Sequence, residues 1–425
     1  MRLLKILWYY WQARRLRFTD RGVLERYQQR RLSRFTQRFL RRSPYFSAYC
    51  EQALTQWPVM DKALMMRHFD SMNTQNLKVD ELFACAKQSE FSRDFSPTVG
   101  QFSVGLSSGT SGKRGIFVVS PDEQARWSGT MLAKMLPDGL FAGERVALFL
   151  RANNNLYESV NNRWLSFQFY DLLGDFDEHL AALNEWQPTI IVAPAQVLVE
   201  ITKRQLRGEC SLTPKKVISV AEVLAADDKA LLQSVFLDVG EVYQATEGFL
   251  GCTCAHGTLH LNEAFLYIEK RWIDERRFSP IITDFTRQTQ PIVRYQLDDI
   301  LVVRETPCPC GDAQLAIERI EGRSDDQLVL TNQHGEPITL FADACNRVIC
   351  NTLPTETDYR LHQQGQLFTL SADCEDAALL ACKQALTDYF ELQGAVIAHL
   401  QWQFNTTLPV TTMAIKRRRI TREAP

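Results

Sequence analysis

The sequence predicts an α/β protein. We expect a large domain with mostly parallel sheets flanked by helices, a β-rich subdomain, and a small α+β C-terminal domain. Three observations lead to this prediction. Apolar strand-like runs alternate with helical segments over residues 146–243, a pattern typical of parallel sheets. Strand-like runs dominate residues 259–303, and a separate mixture of strands and helices follows Asp326. The predicted parts are a basic helical N-terminal region packed on the main domain, the large domain and the small domain, at 1–90, 91–324 and 325–425.

Apolar spacing and helix breakers predict the individual elements in chain order. Apolar and basic residues alternate at helical spacing from Leu24 to Leu40, and Ser43-Pro44 ends that helix. A short helix is predicted from Asp80 to Glu90. In the large domain, strands are predicted at 146–150, 189–193, 216–220, 241–243, 266–269, 281–283 and 300–303, and helices at 194–206 and 227–236. In the small domain, helices are predicted at 341–350 and 376–392, and strands at 366–370 and 395–404.

The composition is that of a globular enzyme. Of the 425 residues, 45% are hydrophobic and 23% are charged, and the formal net charge of −2 gives no drive towards nucleic acid. Eleven cysteines are too sparse for a disulfide scaffold. Because no secretory signal is recognised either, we expect a cytoplasmic protein with reduced thiols and no nucleic-acid partner.

The first 42 residues are basic and begin with an aromatic segment. They contain thirteen Lys and Arg residues against Asp20 and Glu25, and residues 3–11 are apolar except for Lys5. This segment is too short to cross a membrane. A basic helical cap packed on the main domain is the preferred interpretation. The alternative is an interfacial amphipathic helix that makes a weak contact with a membrane surface or a protein.

The most informative motif is the run Ser107-Ser108-Gly109-Thr110-Ser111-Gly112-Lys113, which precedes the apolar run 116–119. Glycines allow the backbone N–H groups to wrap an anion, hydroxyls add donors, and the lysine adds positive charge. The run is not a Walker A loop, because Ser107 stands at the first glycine position and Arg114 follows the lysine. It predicts a phosphate-binding loop, with a flexible surface turn as the alternative.

Further motifs follow this loop in order. They are Val220-Ala221-Glu222, Tyr243-Gln244-Ala245-Thr246-Glu247, Arg294-Tyr295-Gln296-Leu297-Asp298-Asp299, Gly322-Arg323-Ser324-Asp325-Asp326 and Lys416. Together they resemble the signatures of the adenylate-forming superfamily, the acyl- and aryl-CoA ligases. The most similar subgroup contains phenylacetate-CoA ligase and the synthetase that adenylylates a deazaflavin coenzyme.

The resemblance implies a role for each motif. Residues 107–113 would hold the β- and γ-phosphates of ATP, while Thr246 and Glu247 would be catalytic, Thr246 at the α-phosphate and Glu247 as the Mg²⁺ ligand. The implied nucleoside contacts are Tyr243 beside the adenine, Ala221 and Glu222 at its edge, Asp299 at the ribose hydroxyls and Arg323 at the ribose or phosphates.

The resemblance also implies a mobile, swivelling small domain with its hinge at Asp325. Lys416 would be the catalytic lysine that bridges the carboxylate and the α-phosphate. Ile415 stands where the family has glycine, which leaves the following arginines 417–419 as rivals.

The pair Cys308-Pro309-Cys310 points to the same subgroup. In some relatives a cysteine and a histidine at comparable places share a structural zinc ion with such a pair, and Cys254 and His260 stand there in this chain. A Cys₃His set is a standard closed zinc site. The alternate ligands are Cys252 and His256. Four unrelated reduced cysteines in loops remain the other interpretation.

These features predict ATP-dependent adenylation of a small, aromatic carboxylic acid, with CoA as acceptor, Mg²⁺ as cofactor and a structural Zn²⁺. The acid pocket would lie along residues 157–197. Gln296-Leu297-Asp298 and residues 330–337 depart from the family patterns, and the second departure weakens the prediction of CoA transfer. Two alternative functions remain, namely adenylyl transfer to a non-carboxylate group and nucleotide binding without turnover. A homodimer is also an open alternative.

Overall fold

The structure is a computed structural model of the 425-residue chain. It describes residues 2–92, 98–106, 115–150, 164–172, 174–323, 328–340, 342–353, 357–408 and 418–423. Contacts divide the chain into two compact units. The large unit comprises Met1–Leu297 and Val303–Arg319, and the small unit comprises Asp298–Val302 and Ile320–Pro425.

Within the described residues, the α-helices are α1 (Arg2–Arg15), α2 (Arg21–Arg38), α3 (Pro44–Ser47), α4 (Lys62–Arg67), α5 (Phe69–Met72), α6 (Val79–Ser92), α7 (Pro121–Met135), α8 (Phe176–Trp186), α9 (Ala195–Leu206), α10 (Ala226–Gln233), α11 (Ala342–Thr352) and α12 (Asp376–Leu392). None of the helices in this part of the chain is both long and apolar enough to cross a membrane.

The β-strands are β1 (Thr98–Val99), β2 (Phe102–Leu106), β3 (Ile116–Val119), β4 (Glu144–Leu150), β5 (Leu165–Asp171), β6 (Ile190–Ala193), β7 (Lys216–Ser219), β8 (Val239–Ala245), β9 (Gly248–Thr253), β10 (Leu259–Leu261), β11 (Leu266–Trp272), β12 (Arg277–Asp284), β13 (Tyr295–Gln296), β14 (Asp299–Val303), β15 (Ala316–Arg323), β16 (Leu328–Thr331), β17 (Pro337–Leu340), β18 (Tyr359–Gln364), β19 (Leu367–Ala372), β20 (Gln401–Asn405) and β21 (Ile420–Arg422).

A parallel sheet forms one half of the large unit, as predicted. Its strands lie in the order β5, β4, β6, β7 and β8, and each neighbouring pair is parallel. β6 and β7 are buried along their whole length, which explains their nearly unbroken apolar sequences, since helices cover both faces of such sheets. Helices α8, α9 and α10 make the crossovers. The carboxyl ends of these strands therefore form one edge, where ligands of α/β sheets bind.

The sheet continues with antiparallel strands beyond β8. Strands β8 and β9 form a hairpin, β9 pairs with β10, and β10 pairs with β15. Strands β11, β12 and β13 also pair in antiparallel fashion. The strand predicted at 241–243 is too short at its C-terminal end. Residues 244–245 also belong to β8, and Thr246-Glu247 forms the turn. The β-rich subdomain thus consists of hairpins that extend the parallel half.

The small unit has its own core. Strands β18 and β19 are antiparallel, whereas β20 and β21 join their outer edges in parallel. Buried side chains of these strands and of α11 and α12 fill the interior, among them Phe368 and Phe390, which are fully buried. The strand predicted at 395–404 begins only at Gln401, because Ala395 instead bonds back to the end of α12 and forms an isolated bridge to Asn332.

The N-terminal helices pack on the large unit. Ile6, Tyr9, Tyr10 and Ala13 of α1 are buried. Helix α7 crosses α1 at Gly129, where a Cβ atom would lie 2.5 Å from the carbonyl oxygen of Ile6. Only glycine allows so close an approach of two helix backbones. Helix α1 thus packs on α7 through its buried face.

Candidate functional site

The motif Thr246-Glu247 occupies the two-residue turn of the β8–β9 hairpin. Ala245 pairs with Gly248 across the turn, and both motif side chains are half-buried. A Cβ atom on Gly248 would lie 2.8 Å from Oδ2 of Asp284. The turn therefore lies against Asp284 at the end of β12, where a residue larger than glycine would displace the aspartate side chain.

A small cleft of about 10 Å³ in the large unit joins four distant parts of the chain. Its walls include Lys62, Gly115, the pair Thr246 and Glu247, and Arg287. Gly115 lies two residues after the predicted phosphate loop, which itself lies outside the described residues. A residue just beyond the loop thus shares a cleft with the Thr-Glu motif.

Arg287 is a residue that sequence analysis missed. Its side chain is 7% exposed. One terminal nitrogen donates to the carbonyl oxygen of Thr246 at 3.3 Å, and the other donates to the carbonyl oxygen of Val118 and to Oε1 of Gln290, both at 3.3 Å. Among the described residues, no carboxylate oxygen lies within 4.0 Å of this guanidinium. A buried positive charge that contacts only neutral oxygens is suited to an anionic ligand.

Buried polar contacts position the segment that carries Arg287. The carboxylate of Glu123, near the start of α7, accepts hydrogen bonds from the backbone N–H groups of Gln288 and Thr289 at 2.6 and 2.9 Å, and from the Thr289 hydroxyl at 2.6 Å. The Gln290 side chain accepts from the Val118 amide at 2.9 Å and donates to the Ile116 carbonyl at 3.1 Å. These contacts join the residues after Arg287 to α7 and β3.

A second carboxyl group, that of Asp284, is buried beside this segment. Burial raises the pKa of Asp284, although hydrogen bonds from Thr286 and the charge of Arg287 act in the opposite direction. Its Oδ1 accepts from the Thr286 amide at 2.7 Å and from the Thr286 hydroxyl at 2.6 Å. The hydrogen bonds to Oδ1 join Asp284 to Thr286, the residue before Arg287.

The predicted adenine-side residues lie at the ends of β7 and β8. Ala221 has a left-handed backbone with φ of 66°. Glu222 accepts a hydrogen bond from the backbone N–H of Gln196 at 3.1 Å, at the N-terminal end of α9, so it stabilises that helix end. Tyr243 is 7% exposed and pairs with Gly251 of β9. The structure thus adds a structural function for Glu222.

The remaining predicted nucleotide residues are placed only in part. Asp299 begins β14 in the small unit and is half-buried. Arg323 ends β15, and its side chain lies outside the described part. Other predicted site residues also lie outside the described part of the chain, namely Ser107 to Lys113, residues 157–163, Asp325 and Lys416.

The predicted zinc ligands converge in the large unit. One ligand atom from each of Cys254, His260, Cys308 and Cys310 lies within 4.8 Å of all the others. The Sγ atoms of Cys254 and Cys308 are 3.6 Å apart, and Sγ of Cys310 is 3.4 Å from Nε2 of His260. The alternates Cys252 and His256 are not members of this cluster.

Hydrogen bonds around the four side chains are those expected of metal ligands. Nδ1 of His260 lies 3.0 Å from the carbonyl oxygen of Gln314, so Nδ1–H can donate there while Nε2 faces the sulfurs. Backbone N–H groups of His256 and Asp312 donate to the sulfurs of Cys254 and Cys310, both at 3.4 Å.

The thiols of this cluster differ in acidity. Burial opposes ionisation of Cys308, but hydrogen bonds from Thr258, Cys310 and His260 outweigh it and lower its pKa to about 6. Burial and the neighbouring sulfurs raise the pKa of Cys310. One thiolate therefore disfavours the next, whereas a divalent cation would compensate several thiolates at once. The three sulfurs and the imidazole nitrogen fit Zn²⁺ better than three uncharged thiols beside a histidine.

Cys308→Ser tests the zinc site. We expect the wild-type protein to contain about one zinc ion per chain, and the variant to lose most of it, with a melting temperature lowered by several degrees, because one of four ligands is removed. Metal analysis and thermal melting measure both effects. His256→Ala is the matched control, since His256 lies beside the cluster but is exposed. Protein purified without chelator that contains no zinc would contradict the prediction.

Comparison with known proteins shows the fold. No known family profile matches the chain. Protein CapK of Staphylococcus aureus is 28% identical over 155 residues, which are 35% of this chain and 34% of that protein, so the match spans about a third of its length. A 2-hydroxyisobutyryl-CoA ligase in its postadenylation state superposes with a TM-score of 0.64 at 13% identity, covering 95% of this chain and 89% of that one.

A second solved structure agrees with the first. The amide bond synthetase McbA from Marinactinospora thermotolerans superposes with a TM-score of 0.53 at 11% identity and covers 74% of this chain and 67% of that chain. The chain therefore has the fold of adenylate-forming ligases, a large α/β unit with an additional domain. At such low identities the likeness concerns the fold and leaves the chemistry to the site residues.

Proposed function

We propose that this chain is an ATP-dependent adenylate-forming enzyme. It would activate a small, aromatic carboxylic acid as an acyl-adenylate and transfer the acyl group to CoA. The ordered motifs and the fold support the first step. CoA transfer and the aromatic acid rest on the resemblance to phenylacetate-CoA ligase.

The observation that carries the proposal is the cleft shared by Gly115, Thr246, Glu247 and Arg287. In adenylation, a carboxylate attacks the α-phosphate and pyrophosphate leaves, so anions must approach each other. Positive charge and hydrogen-bond donors fixed in advance lower such a barrier. Arg287 supplies a buried positive charge, the Thr246 hydroxyl can donate to a phosphate oxygen, and the loop at 107–113 would supply backbone N–H groups and Lys113.

Glu247 fits the predicted Mg²⁺ ligand. It is a half-buried carboxylate at the wall of the cleft, and Mg²⁺ prefers carboxylate and phosphate oxygens. When bound, the ion would reduce the negative charge on the phosphate oxygens. We assign Asp299 and Arg323 to the nucleoside and Lys416 to the reacting carboxylate and α-phosphate, on their motifs alone.

The direct test measures pyrophosphate release over a panel of small aromatic and aliphatic acids, with and without CoA. We expect release that depends on ATP, on Mg²⁺ and on one class of acid, together with thioester formation when CoA is present. Release without thioester would retain adenylation and reject CoA as the acceptor. Absence of release with every acid, despite ATP binding, would favour a nucleotide-binding homologue without turnover.

Arg287→Met tests the buried charge in the cleft. We expect kcat/KM for pyrophosphate release to fall roughly 10²-fold, because one charged donor to the reacting phosphates is lost, and Arg287→Lys to restore part of it. Arg271→Met is the control, since Arg271 is exposed on β11. If Arg287→Met lowers the melting temperature but keeps kcat/KM, Arg287 has only a structural role.

A further inference from the structure

Helix α1 presents two apolar faces, and within the part of the chain that the structure describes only the inner face packs on other elements. Its inner face packs on α7, where the Tyr9 hydroxyl donates to Oδ2 of Asp122 at 2.7 Å and the Arg126 guanidinium lies 4.5 Å from the centre of the Tyr9 ring. The close backbone approach at Gly129 fixes the helix in this position. The opposite face is consequently held outward and cannot turn inward without disrupting these contacts.

The outer face of α1 carries large apolar side chains. Leu4, Trp8 and Trp11 are 69%, 65% and 49% exposed, and Leu3 beside them is 48% exposed. Leu4, Trp8 and Trp11 are spaced i, i+4 and i+7, so they form one stripe along the helix. Contiguous exposed apolar groups of this kind mark interaction sites. We call Leu3, Leu4, Trp8 and Trp11 the outer patch.

Basic residues adjoin the outer patch. Residues 1–19 contain five basic residues and no acidic one. Arg14 and Arg15 are exposed, and Arg15 continues the stripe at the next helical position. Arg2 is exposed as well, but its guanidinium donates to the Gln124 side chain of α7 at 3.3 Å. The charge of Lys5 is partly neutralised, because its Nζ lies 2.7 Å from Oδ1 of Asp122.

Helix α2 adds to the positive charge. Arg26, Arg30 and Arg34 follow one another at i, i+4 and i+8 on its exposed face. The N-terminal region therefore combines aromatic rings and leucines with a local excess of cations, although the whole chain has a formal net charge of −2.

We propose that the outer patch attaches the protein to the surface of a bilayer rich in anionic phospholipids. Tryptophan favours the lipid–water interface, since its ring is apolar and its N–H is polar. Leucine side chains enter the acyl boundary, and the flanking arginines pair with lipid phosphates.

Charge favours a bilayer over a second copy of this chain. A symmetric dimer through the outer patch would bring Arg14 and Arg15 of both copies into one contact. Such a contact brings like charges together, whereas an anionic bilayer complements them. The attachment is peripheral, because α1 stays packed on α7.

Vesicle co-sedimentation of the full-length protein tests this surface. Vesicles of pure phosphatidylcholine are compared with vesicles of equal parts phosphatidylcholine and phosphatidylglycerol. We expect binding to the anionic vesicles that weakens with added salt. The double variant Trp8→Ser, Trp11→Ser should bind at least roughly tenfold more weakly, and Arg14→Gln with Arg15→Gln should weaken binding by roughly tenfold.

Trp272→Ser is the matched control, because Trp272 is 51% exposed on β11 and is not a member of the outer patch. It should bind like the wild type. Leu4→Ser provides a second patch variant should the double variant fail to fold, which thermal melting would reveal.

Three results would overturn the proposal. The first is a wild-type protein that does not sediment with anionic vesicles. The second is a folded patch variant that binds as tightly as the Trp272→Ser control. The third is a wild-type dimer, measured by light scattering, that the patch variants separate while vesicles bind no form of the protein. That last result would assign the outer patch to a second copy of the chain.

Discussion

Glu247→Gln is expected to lower Mg²⁺-dependent pyrophosphate release by roughly 10²-fold or more while the fold is retained. Glutamine keeps the size of the side chain and removes the negative charge that would hold the cation beside the phosphates. The turn itself should persist, because Gly248 and the Ala245–Gly248 pairing hold it. Steady-state release at several Mg²⁺ concentrations measures the effect, and the variant should need more Mg²⁺ for the same rate.

Glu241→Gln is the control for this prediction. Glu241 lies on the same strand β8 and pairs with Lys229 at 2.8 Å, remote from the turn. A general effect of removing a carboxylate from β8 would appear in both variants. Near-normal release in Glu247→Gln would exclude Glu247 as the magnesium ligand and leave Arg287 and Lys62 as the charged groups of the cleft.

Lys416→Ala is expected to lower adenylate formation by roughly 10²-fold while the affinity for ATP changes only a few-fold. The lysine would bridge the carboxylate and the α-phosphate, an interaction that grows stronger as charge builds up in the transition state. Most contacts to ATP would come from the phosphate loop and Asp299, so binding should survive. Single-turnover formation of the adenylate and calorimetry of ATP binding separate the two quantities.

Variants of the arginines that follow Lys416 are the controls for Lys416→Ala. Arg417→Ala and Arg418→Ala should retain adenylate formation if Lys416 is the bridging residue. Unchanged adenylate formation in Lys416→Ala, with a loss in one of the arginine variants, would transfer the role to that arginine. A loss of ATP binding in Lys416→Ala would show a binding role in place of the transition-state role.

Segments with clear apolar periodicity were predicted well, including the short strand predicted at 216–220, which is β7 (Lys216–Ser219). The helix predicted at 376–392 coincides with α12. Its seventeen residues keep apolar side chains at helical spacing throughout, which favours a helix over a strand. Helix α7 was not predicted, although Ser120, Pro121 and Glu123 form an N-cap, an N1 proline and a capping box at its start. These are local signals that sequence analysis could have used.

The sequence by itself determined the α/β class, the alternation of strands and helices over residues 146–243, and the motifs on which the proposal of adenylation rests. Apolar periodicity depends on neighbouring residues alone, so no distant contact is needed to recognise it. The resemblance also named Cys254 and His260 as partners of the Cys308-Pro309-Cys310 pair, with Cys252 and His256 as alternates.

Only the tertiary structure decided which side chains meet. It selected Cys254 and His260 over Cys252 and His256, because hairpin β9–β10 brings the first two to the Cys308 loop. It also placed Arg287 beside Thr246, from which it is 41 residues apart in sequence. Glu222 likewise accepts a hydrogen bond at the N-terminal end of α9. Nothing local predicts these contacts, since a buried charge or a ligand set depends on partners that the fold supplies from elsewhere in the chain.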